Sequence, residues 1–385
     1  MVRSLLFSSI TFLYYFLLAV LVIYYLAPAK VKNLILFLAS FVFYLWGEPK
    51  YSVLLLFSVT AGYMGGRCIE YQRQKKCVSA ADPADRSGKY KGGHDRLVVG
   101  IFTAMTLGLL VFFKYMDFLA DSVNRILGTH VPMVQIALPV GISFYTFQII
   151  SYYVDVYRGE VAAEHNFVDF AAYVTMFPQL IAGPIVNYTE VSSCLKRRTV
   201  TARDFESGIR ILVIGLGSKV IIADRVGMLW NNVQTIGFNS ISTPLAWLGA
   251  VAYSMELYFD FAGYSMMAIG LGKMLGFQIP VNFRFPYISK SVTEFWRRWH
   301  ITLGRWFRDY VYIPLGGSRK GRLRTMFNLF AVWILTALWH GAGYNFLIWG
   351  GMLLGALFLE KLFLLPFLQK SKVIGHVYLL LFVPV

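Results

Sequence analysis

The sequence has little charge for its length. Of its 385 residues only 15% are charged, whereas soluble domains carry about 25%. Acidic residues are the scarcer kind, with 20 Asp and Glu against 36 Lys and Arg. A soluble domain has too little interior for 57% hydrophobic residues, and 17% aromatic residues exclude a disordered chain. The composition therefore predicts a polytopic membrane protein.

Cysteine is scarce as well. The three cysteines, Cys68, Cys77 and Cys194, form no Cys-x-x-Cys pair and no Cys/His spacing typical of a metal site. This pattern excludes a disulfide framework and predicts that the protein holds no metal. We expect three reduced thiols on the cytoplasmic side of a membrane.

Long apolar runs fill most of the chain. About 20 apolar residues are needed to cross roughly 30 Å of hydrocarbon as a helix. We therefore expect an all-α polytopic fold with about ten transmembrane or re-entrant helices. The runs that predict them are about 5–27, 33–46, 51–66, 97–116, 136–156, 168–186, 206–230, 244–274, 325–340 and 343–366.

Two apolar stretches depart from this pattern. The run 168–186 contains Phe177-Pro178-Gln179 and Gly183-Pro184, which predict a broken, re-entrant hairpin rather than a full crossing. The last stretch, 375–385, is too short to span a membrane. We expect the chain to be truncated within a helix at that point.

Basic residues are concentrated in two regions, 67–96 and 284–324. Cytoplasmic loops of membrane proteins are rich in Lys and Arg, so both regions are predicted to be cytoplasmic and the N-terminus to lie outside. Proline and glycine within 67–96 predict a flexible loop. Nucleic-acid binding is not expected, because no soluble basic module is present.

His340 is the strongest candidate for chemistry among the six histidines. It lies between two apolar runs, about 22 Å along a helix that would start at Thr325 near the cytoplasmic face. An imidazole at such depth needs a polar partner or a cavity, so it indicates a functional site. The alternative is a core histidine that bonds a neighbouring carbonyl group.

His300 belongs to the segment 294–310, in which tryptophan and arginine alternate. Helical spacing predicts that Trp296, Trp299 and Leu303 share one face. One interpretation is an amphipathic helix at the membrane interface. A compatible one is that the arginines line the cytoplasmic entrance for an anionic donor, such as a thioester with a phosphate-bearing arm. The candidates for substrate or donor binding are Trp296, Arg297, Arg298, Trp299, Arg305, Arg308, Asp309 and Trp339.

Charged residues inside two other apolar runs are further candidates. Glu256 and Asp260 are one helical turn apart and are expected to face a polar interior. They either line a tunnel or proton path or pair with arginines. The pair Asp224-Arg225 is expected to lie at a helix end.

Several motifs together resemble the membrane-bound O-acyltransferases, over essentially the whole chain. The stretch Tyr312-Ile-Pro-Leu-Gly-Gly317 favours the bacterial branch that O-acetylates exopolysaccharides such as alginate over D-alanyl transfer to teichoic acid. The other matching stretches are Leu6-Phe-Ser-Ser-Ile-Thr-Phe12, Phe177-Pro-Gln-Leu-Ile-Ala-Gly-Pro184, Glu256-Leu-Tyr-Phe-Asp-Phe-Ala-Gly-Tyr264, Phe295-Trp-Arg-Arg-Trp-His300, Trp306-Phe-Arg-Asp-Tyr310 and Leu338-Trp-His-Gly341.

The resemblance implies a fold and an activity. The fold is a single membrane domain over 1–385, with helices around a central reaction tunnel, in the inner membrane of a bacterium. The activity is acyl transfer from a cytoplasmic thioester, acetyl-CoA or an acylated carrier, with no bound cofactor. His340 is implied as the catalytic base, and His300 as a second catalytic histidine at the cytoplasmic side. Implied partners are periplasmic acetyltransferases, a polysaccharide acceptor and membrane lipids.

Two other functions stay open at this point. D-alanyl transfer from a carrier protein to teichoic acid uses the same chemistry on a different acceptor. A transporter without chemistry would use the broken hairpin and the buried carboxylates as a substrate path, but the sequence has no internal repeat of the kind common in transporters.

Overall fold

The computed structural model describes residues 6–79 and 93–382, and the regular secondary structure within these ranges is helical. Residues 80–92 of the predicted basic loop, like the two chain ends, lie outside the described residues. The chain divides into two compact units, Met1–Ile181 with Ile185–Thr199, and Ala182–Pro184 with Val200–Val385. The single membrane domain over 1–385 stays a prediction.

The first unit contains eight of the described helices, which vary from one turn to ten turns in length. They are α1 (Leu17–Leu26), α2 (Lys32–Gly47), α3 (Ser52–Ser79), α4 (Gly93–Leu127), α5 (Ile142–Arg158), α6 (Phe167–Thr175), α7 (Phe177–Leu180) and α8 (Tyr188–Lys196). A π-helical turn at Thr11–Phe16 leads directly into α1, and 3₁₀ turns at Ala29–Val31 and Pro49–Tyr51 precede α2 and α3.

Three helices of this unit are long and apolar enough to cross a membrane: Ala29–Gly47, Pro49–Lys75 and Arg96–Leu127. They correspond to the second, third and fourth predicted runs. The first predicted run, 5–27, contains a shorter apolar helix at Thr11–Leu26. The fifth predicted run begins later than expected, because Gly141 adopts a left-handed conformation (φ +77°) just before α5.

Two predicted loops are wrong in part. The basic segment that starts at residue 67 is not a loop at first, because α3 continues to Ser79 and α4 begins at Gly93. The connection between the predicted runs 97–116 and 136–156 is also helical at first, since α4 extends to Leu127. Polar residues did not end these helices because Arg, Lys, Asp and Glu are tolerated on an exposed helix surface.

The run 168–186 is broken, as predicted. Helix α6 ends at Thr175, because the backbone of Met176 leaves the helical region (φ −45°, ψ 111°). Helix α7 is a single turn with Pro178 near its start. At nine residues, α6 is too short to cross a membrane. Its position relative to a membrane stays a prediction.

An ionic cluster around the buried carboxylate of Glu164 holds the ends of this broken region in place. Glu164 is 3% exposed, and its carboxylate accepts hydrogen bonds from Lys196 Nζ (2.6 Å) and the Tyr188 hydroxyl (2.5 Å). Lys196 Nζ also contacts Asp169 (2.8 Å). We call Glu164, Asp169, Tyr188 and Lys196 the Glu164 cluster.

The second unit contains the remaining nine described helices. They are α9 (Ala202–Gly217), α10 (Asp224–Ile236), α11 (Thr243–Met274), α12 (Val292–Arg298), α13 (Ile301–Phe307), α14 (Arg322–His340), α15 (Tyr344–Leu359), α16 (Leu365–Lys370) and α17 (Lys372–Phe382). Tyr344–Leu368, which joins α15 to α16 through a π-helical segment, is long and apolar enough to span a membrane.

Helices α9 and α10 form one continuous helix, joined by the π-helical turn Ser218–Ala223. Asp224 and Arg225 therefore lie inside a helix, and the expectation that they mark a helix end is wrong. This long helix packs closely on α11, because Gly215 and Gly263 have no side chain. A Cβ atom on Gly215 would lie 2.6 Å from the carbonyl oxygen of Gly263. Small residues permit such close helix contacts in membranes.

The predicted helix through 294–310 is interrupted. Helix α12 ends at Arg298, Trp299 is extended, and α13 starts after His300. Trp296 and Trp299 therefore do not share one face. Trp296 packs on Trp333 of α14, whereas Trp299 stacks on Phe295 (ring centroids 5.5 Å apart). Apolar residues of α12 pack on two clusters of buried side chains, while Arg297 is exposed, and the position of α12 relative to a membrane stays a prediction.

Candidate active site

His300 occupies the break between α12 and α13 in a left-handed backbone conformation (φ +45°, ψ 52°). Residues other than glycine rarely adopt this conformation, although histidine does so more often than most. The segment that contains Asn282 and Arg284, before α12, forms backbone hydrogen bonds with residues on both sides of this break. The Ile301 N–H donates to the carbonyl oxygen of Asn282 (2.9 Å), and the Arg284 N–H donates to that of Arg298 (2.9 Å).

The imidazole ring of His300 is 2% exposed. Its Nδ1 atom lies 3.2 Å from the Oδ1 atom of Asn282. The edge of the ring meets Phe261 of α11 (centroids 4.8 Å apart) and Trp339 of α14 (5.8 Å). Burial is the main cause that lowers the pKa of His300 to about 3, and the nearby His340 adds to it. His300 is therefore neutral at physiological pH.

His340 is the last residue of α14, and the extended Gly341 follows it. Its ring meets Trp339 (centroids 5.0 Å apart) and Trp349 of α15 (5.0 Å). Trp339 thus contacts both histidines. We call Asn282, His300, Trp339 and His340 the histidine cluster. The sequence predicted both histidines, and the structure brings them together although 40 residues separate them.

Tryptophan rings extend the cluster away from His340. Trp296 of α12 contacts Trp333 (5.1 Å) and Trp349 (5.8 Å). The indole N–H of Trp296 is buried and has no hydrogen-bond partner among the described residues. Of the donor-binding candidates, Trp339 contacts both histidines and Trp296 reaches His340 through Trp349, whereas Trp299 packs on Phe295.

The two histidines meet at the end of α14 that lies far from its basic start. Arg322 and His340 are about 27 Å apart along this helix. Since His300 contacts the His340 end, the segment that contains Asn282 and His300 reaches the far end of α14. The assignment of 284–324 to the cytoplasmic side of a membrane stays a prediction.

The predicted donor-binding arginines differ in their surroundings. Arg297 is exposed, and Arg305 is half-buried. Arg298 forms an ion pair with Glu294 (2.8 Å), and Arg308 forms one with Asp309 (2.7 Å). These two carboxylates neutralise part of the charge that the sequence assigned to an anionic donor. Exposed Arg319, Lys320, Arg322 and Arg324 extend the basic surface.

The carboxylates of α11 lie with a lysine rather than with arginines. Lys219 Nζ contacts Asp260 (2.7 Å) and Asp224 (2.8 Å). Glu256 lies against Gly227. A Cβ atom added to Gly227 would lie 2.5 Å from the Oε1 atom of Glu256. The predicted pairing with arginines is wrong for Asp260, and a tunnel or proton path through this pair stays a prediction.

Sequence reasoning missed two residues that build the site. Asn282 is fully buried beside His300, and Glu360 is fully buried beneath the start of α12. The Glu360 carboxylate accepts hydrogen bonds from the Val292 N–H (2.6 Å) and the Thr293 N–H (2.9 Å). For Glu360 a signal existed, because it is a lone carboxylate within an apolar run. The sequence around Asn282 carried no such signal.

Comparison with known proteins places this arrangement in a family. Residues 159–373 match the model of the membrane-bound O-acyltransferase family. The chain is 43% identical to a probable alginate O-acetylase AlgI of Pseudomonas aeruginosa, over 89% of this chain and 64% of the relative. It is 36% identical to a peptidoglycan O-acetyltransferase of Helicobacter pylori, over 90% of this chain and 68% of the relative.

A teichoic acid D-alanyltransferase of Bacillus subtilis is more distant, at 30% identity over 55% of this chain and 56% of the relative. The chain thus spans about two thirds of the length of the two acetylating relatives. The matched region includes both histidines and the whole Trp/Arg segment. Together with the apolar helices, these matches show that the chain is a membrane-embedded protein that belongs to the membrane-bound O-acyltransferase family.

Proposed function

We propose that this chain is the membrane-embedded part of an O-acyltransferase that acetylates an exopolysaccharide such as alginate. The observation that carries the proposal is that Trp339 contacts both His300 and His340. Family membership supports acyl transfer as the reaction class. The relatives named as alginate O-acetylases support acetyl as the group transferred and a polysaccharide as the acceptor.

His340 is the catalytic base in this proposal. Its imidazole takes the proton of an acceptor hydroxyl while the hydroxyl oxygen attacks the carbonyl carbon of the thioester. The C–S bond then breaks, and the proton passes from the imidazole to the leaving thiolate. The products are an oxygen ester and a free thiol. The tryptophan rings around His340 exclude water, which would otherwise hydrolyse the thioester.

The donor is a thioester that approaches from the cytoplasmic side, either acetyl-CoA or an acylated carrier, and the protein itself holds no cofactor. Both donors carry phosphate groups, which arginine binds well. Of the candidate arginines, Arg297 is exposed, whereas Arg298 and Arg308 are paired with carboxylates. We propose that Arg297 contacts the phosphates.

The location and partners follow from the same proposal. The chain is a multi-pass protein of a bacterial inner membrane with its N-terminus outside, because that orientation places both basic regions in the cytoplasm. Periplasmic acetyltransferases then complete the esterification of the polymer. Around ten helices enclose the reaction tunnel, of which four described helices meet the length and composition of a membrane span.

D-alanyl transfer to teichoic acid is the second candidate. It is supported by the similarity to a D-alanyltransferase, but at lower identity and over a shorter part of the chain than the similarity to O-acetylases. A transporter without chemistry is disfavoured by the family. Mass spectrometry of the ester on the acceptor polymer separates acetyl from D-alanyl transfer.

The variant His340→Ala tests the proposed activity. We expect the acetyl ester content of the polymer to fall by at least 100-fold, because general base catalysis contributes about 10²–10⁴ to the rate. The matched control is His130→Ala, which alters an exposed histidine outside the cluster. Membrane insertion of both variants is measured in parallel. Normal ester content in an inserted His340→Ala protein would refute the proposal.

A further inference from the structure

Asn282 is fully buried, and its side-chain oxygen is surrounded by hydrogen-bond donors. The backbone N–H of Thr302 donates to Oδ1 (3.2 Å), and the Thr302 hydroxyl donates to the same atom (3.0 Å). The Nδ1 atom of His300 lies 3.2 Å from it as well. One amide oxygen therefore accepts hydrogen bonds from Thr302 at the start of α13 and lies within hydrogen-bond distance of the His300 ring.

These contacts determine the orientation of the Asn282 amide. A backbone N–H can only donate, so the amide atom that faces the Thr302 N–H must be the oxygen. An amide oxygen carries no hydrogen, so His300 Nδ1 must supply the hydrogen of their bond. A neutral imidazole carries only one N–H. His300 is therefore protonated at Nδ1 and bare at Nε2.

The bare Nε2 atom of His300 is buried and has no hydrogen-bond partner within the described chain. Leaving a buried polar atom unsatisfied costs about 1–3 kcal/mol, so native structures rarely do so without a reason. Phe261 and Trp339 contact the ring at steep angles, and the indole N–H of Trp339 does not bond Nε2. The missing partner is a hydrogen-bond donor, such as a hydroxyl or an amide N–H.

We propose that Asn282 is a positioning residue that holds His300 in the Nδ1–H tautomer, so that Nε2 accepts a hydrogen bond from a substrate hydroxyl or amide N–H. The identification of this group as part of a substrate rests on the proposed function, whereas the tautomer does not. His300 then orients a substrate and stays neutral, while His340 takes the proton. The two histidines therefore have different tasks in this proposal.

The ionisable groups around His300 support a ring that stays neutral. From α14 the facing ionisable group is His340, and a positive charge there disfavours a second one on His300. From α11 the facing group is the apolar ring of Phe261. Within its own segment, Arg298 is paired with Glu294, and Arg297 is exposed.

Nitrogen NMR on the full chain in lipid vesicles tests the tautomer directly. The protein is labelled with ¹⁵N at the histidine rings, and the His300 signals are those lost in His300→Gln. The expected spectrum between pH 5 and 8 shows a protonated Nδ1 and an unprotonated Nε2. A protonated Nε2 at neutral pH, with or without a protonated Nδ1, would overturn the proposal.

Two substitutions separate positioning from a general structural role. Asn282→Leu removes the acceptor, so an Nε2–H form should appear in the spectrum and transfer should fall by at least tenfold. Asn282→Asp keeps the acceptor and the tautomer, but its charge favours a protonated His300. Its activity should therefore be retained at alkaline pH and decrease as the pH falls, in a range where the parent protein has no such decrease.

Asn239→Leu and Asn239→Asp are the matched controls, since Asn239 is an exposed asparagine in a turn of the same unit. An unchanged spectrum and unchanged activity in Asn282→Leu would overturn the proposal even if the wild-type tautomer is as expected. If the tautomer is correct but the wild-type protein transfers no acyl group, the proposed function fails and the positioning role of Asn282 stands.

Discussion

Two clusters, one in each unit of the chain, bury polar side chains in opposite ways. In the Glu164 cluster both carboxylate oxygens of the central residue accept hydrogen bonds, from Lys196, Tyr188 and the N–H groups of His165 and Asn166. In the histidine cluster the Nε2 atom of His300 and the amide nitrogen of Asn282 are buried without a partner in the described structure.

This difference separates a structural role from a chemical one. A fully satisfied buried network stabilises the fold and leaves no atom available for a ligand. Buried polar atoms without partners are destabilising in the empty protein, and they persist where a bound molecule completes them. The Glu164 cluster therefore fastens α8 to the segment before α6, while the histidine cluster is available for substrate.

The largest expected effect on stability comes from Glu164→Gln. The substituted amide removes the charge that Lys196 contacts and places an NH₂ group among donors, so the free energy of unfolding should fall by about 3 kcal/mol. Acyl transfer per folded molecule should not change. The measurement is denaturant unfolding in detergent micelles together with a transfer assay.

Glu160→Gln is the control for this variant, because its carboxylate is half-exposed and lies 3.8 Å from Arg158. Such a surface pair contributes about 0–1 kcal/mol. If Glu164→Gln lost transfer activity while keeping its stability, the division between a structural cluster and a chemical cluster would be wrong.

A smaller effect is expected from Glu360→Gln. Its carboxylate holds the N-terminus of α12, which carries Trp296 and leads to His300, and loss of one acceptor should cost about 1–2 kcal/mol. Unlike Glu164→Gln, this variant should also weaken acyl transfer, because α12 positions the site. Lys361→Gln alters an exposed neighbour and is the control. Full activity in Glu360→Gln would show that α12 needs no such anchor.

A further expected effect is a pH dependence of stability that differs between the two clusters. The pKa of His300 is lowered from 6.5 to about 3 by burial and His340, so the unfolded chain binds more protons as the pH falls below 6.5. The free energy of unfolding is therefore not reduced by His300 above pH 6.5. Below pH 6.5 it decreases toward pH 3, by at most about 1.4 kcal/mol per pH unit.

The Glu164 cluster should respond at lower pH. Burial disfavours the charged Glu164 carboxylate, but hydrogen bonds from Lys196 and Tyr188 outweigh burial and lower its pKa below the ordinary 4.5. Its contribution is complete above pH 4.5 and is lost only below that value. Unfolding measured from pH 7 to 4 should show a slope between 6.5 and 4.5 that His300→Gln removes and Glu164→Gln keeps. The reverse assignment would contradict the comparison.

The sequence predicted the helical class, the longest apolar helices and both histidines, because depth in an apolar run makes a polar residue conspicuous. It failed where a local pattern is overridden by packing. The spacing of Trp296 and Trp299 predicted one helix face, but Asn282 holds the break at His300 from 18 residues away. The spacing of residues within one helix does not reveal a contact with a residue that far away in the chain.

The same reason explains why the sequence did not predict the contacts of the arginines and of the basic region 284–324. A count of Lys and Arg predicts a side of the membrane, but it does not show that Glu294 and Asp309 pair with two of the arginines. Nor does it show that the first part of 284–324 reaches the far end of α14. These facts depend on contacts between elements, which a single sequence does not specify.

Transfer of a labelled acetyl group by the purified full-length protein tests the central claim most directly. Radiolabelled acetyl-CoA and an acetylated carrier are each supplied on one side of vesicles that contain the protein, and label in acceptor polymer and periplasmic partner is counted. We expect label to reach the acceptor with the wild-type protein and with Glu164→Gln, and not with His340→Ala. Equal labelling by the wild-type protein and by a folded His340→Ala variant would contradict the account.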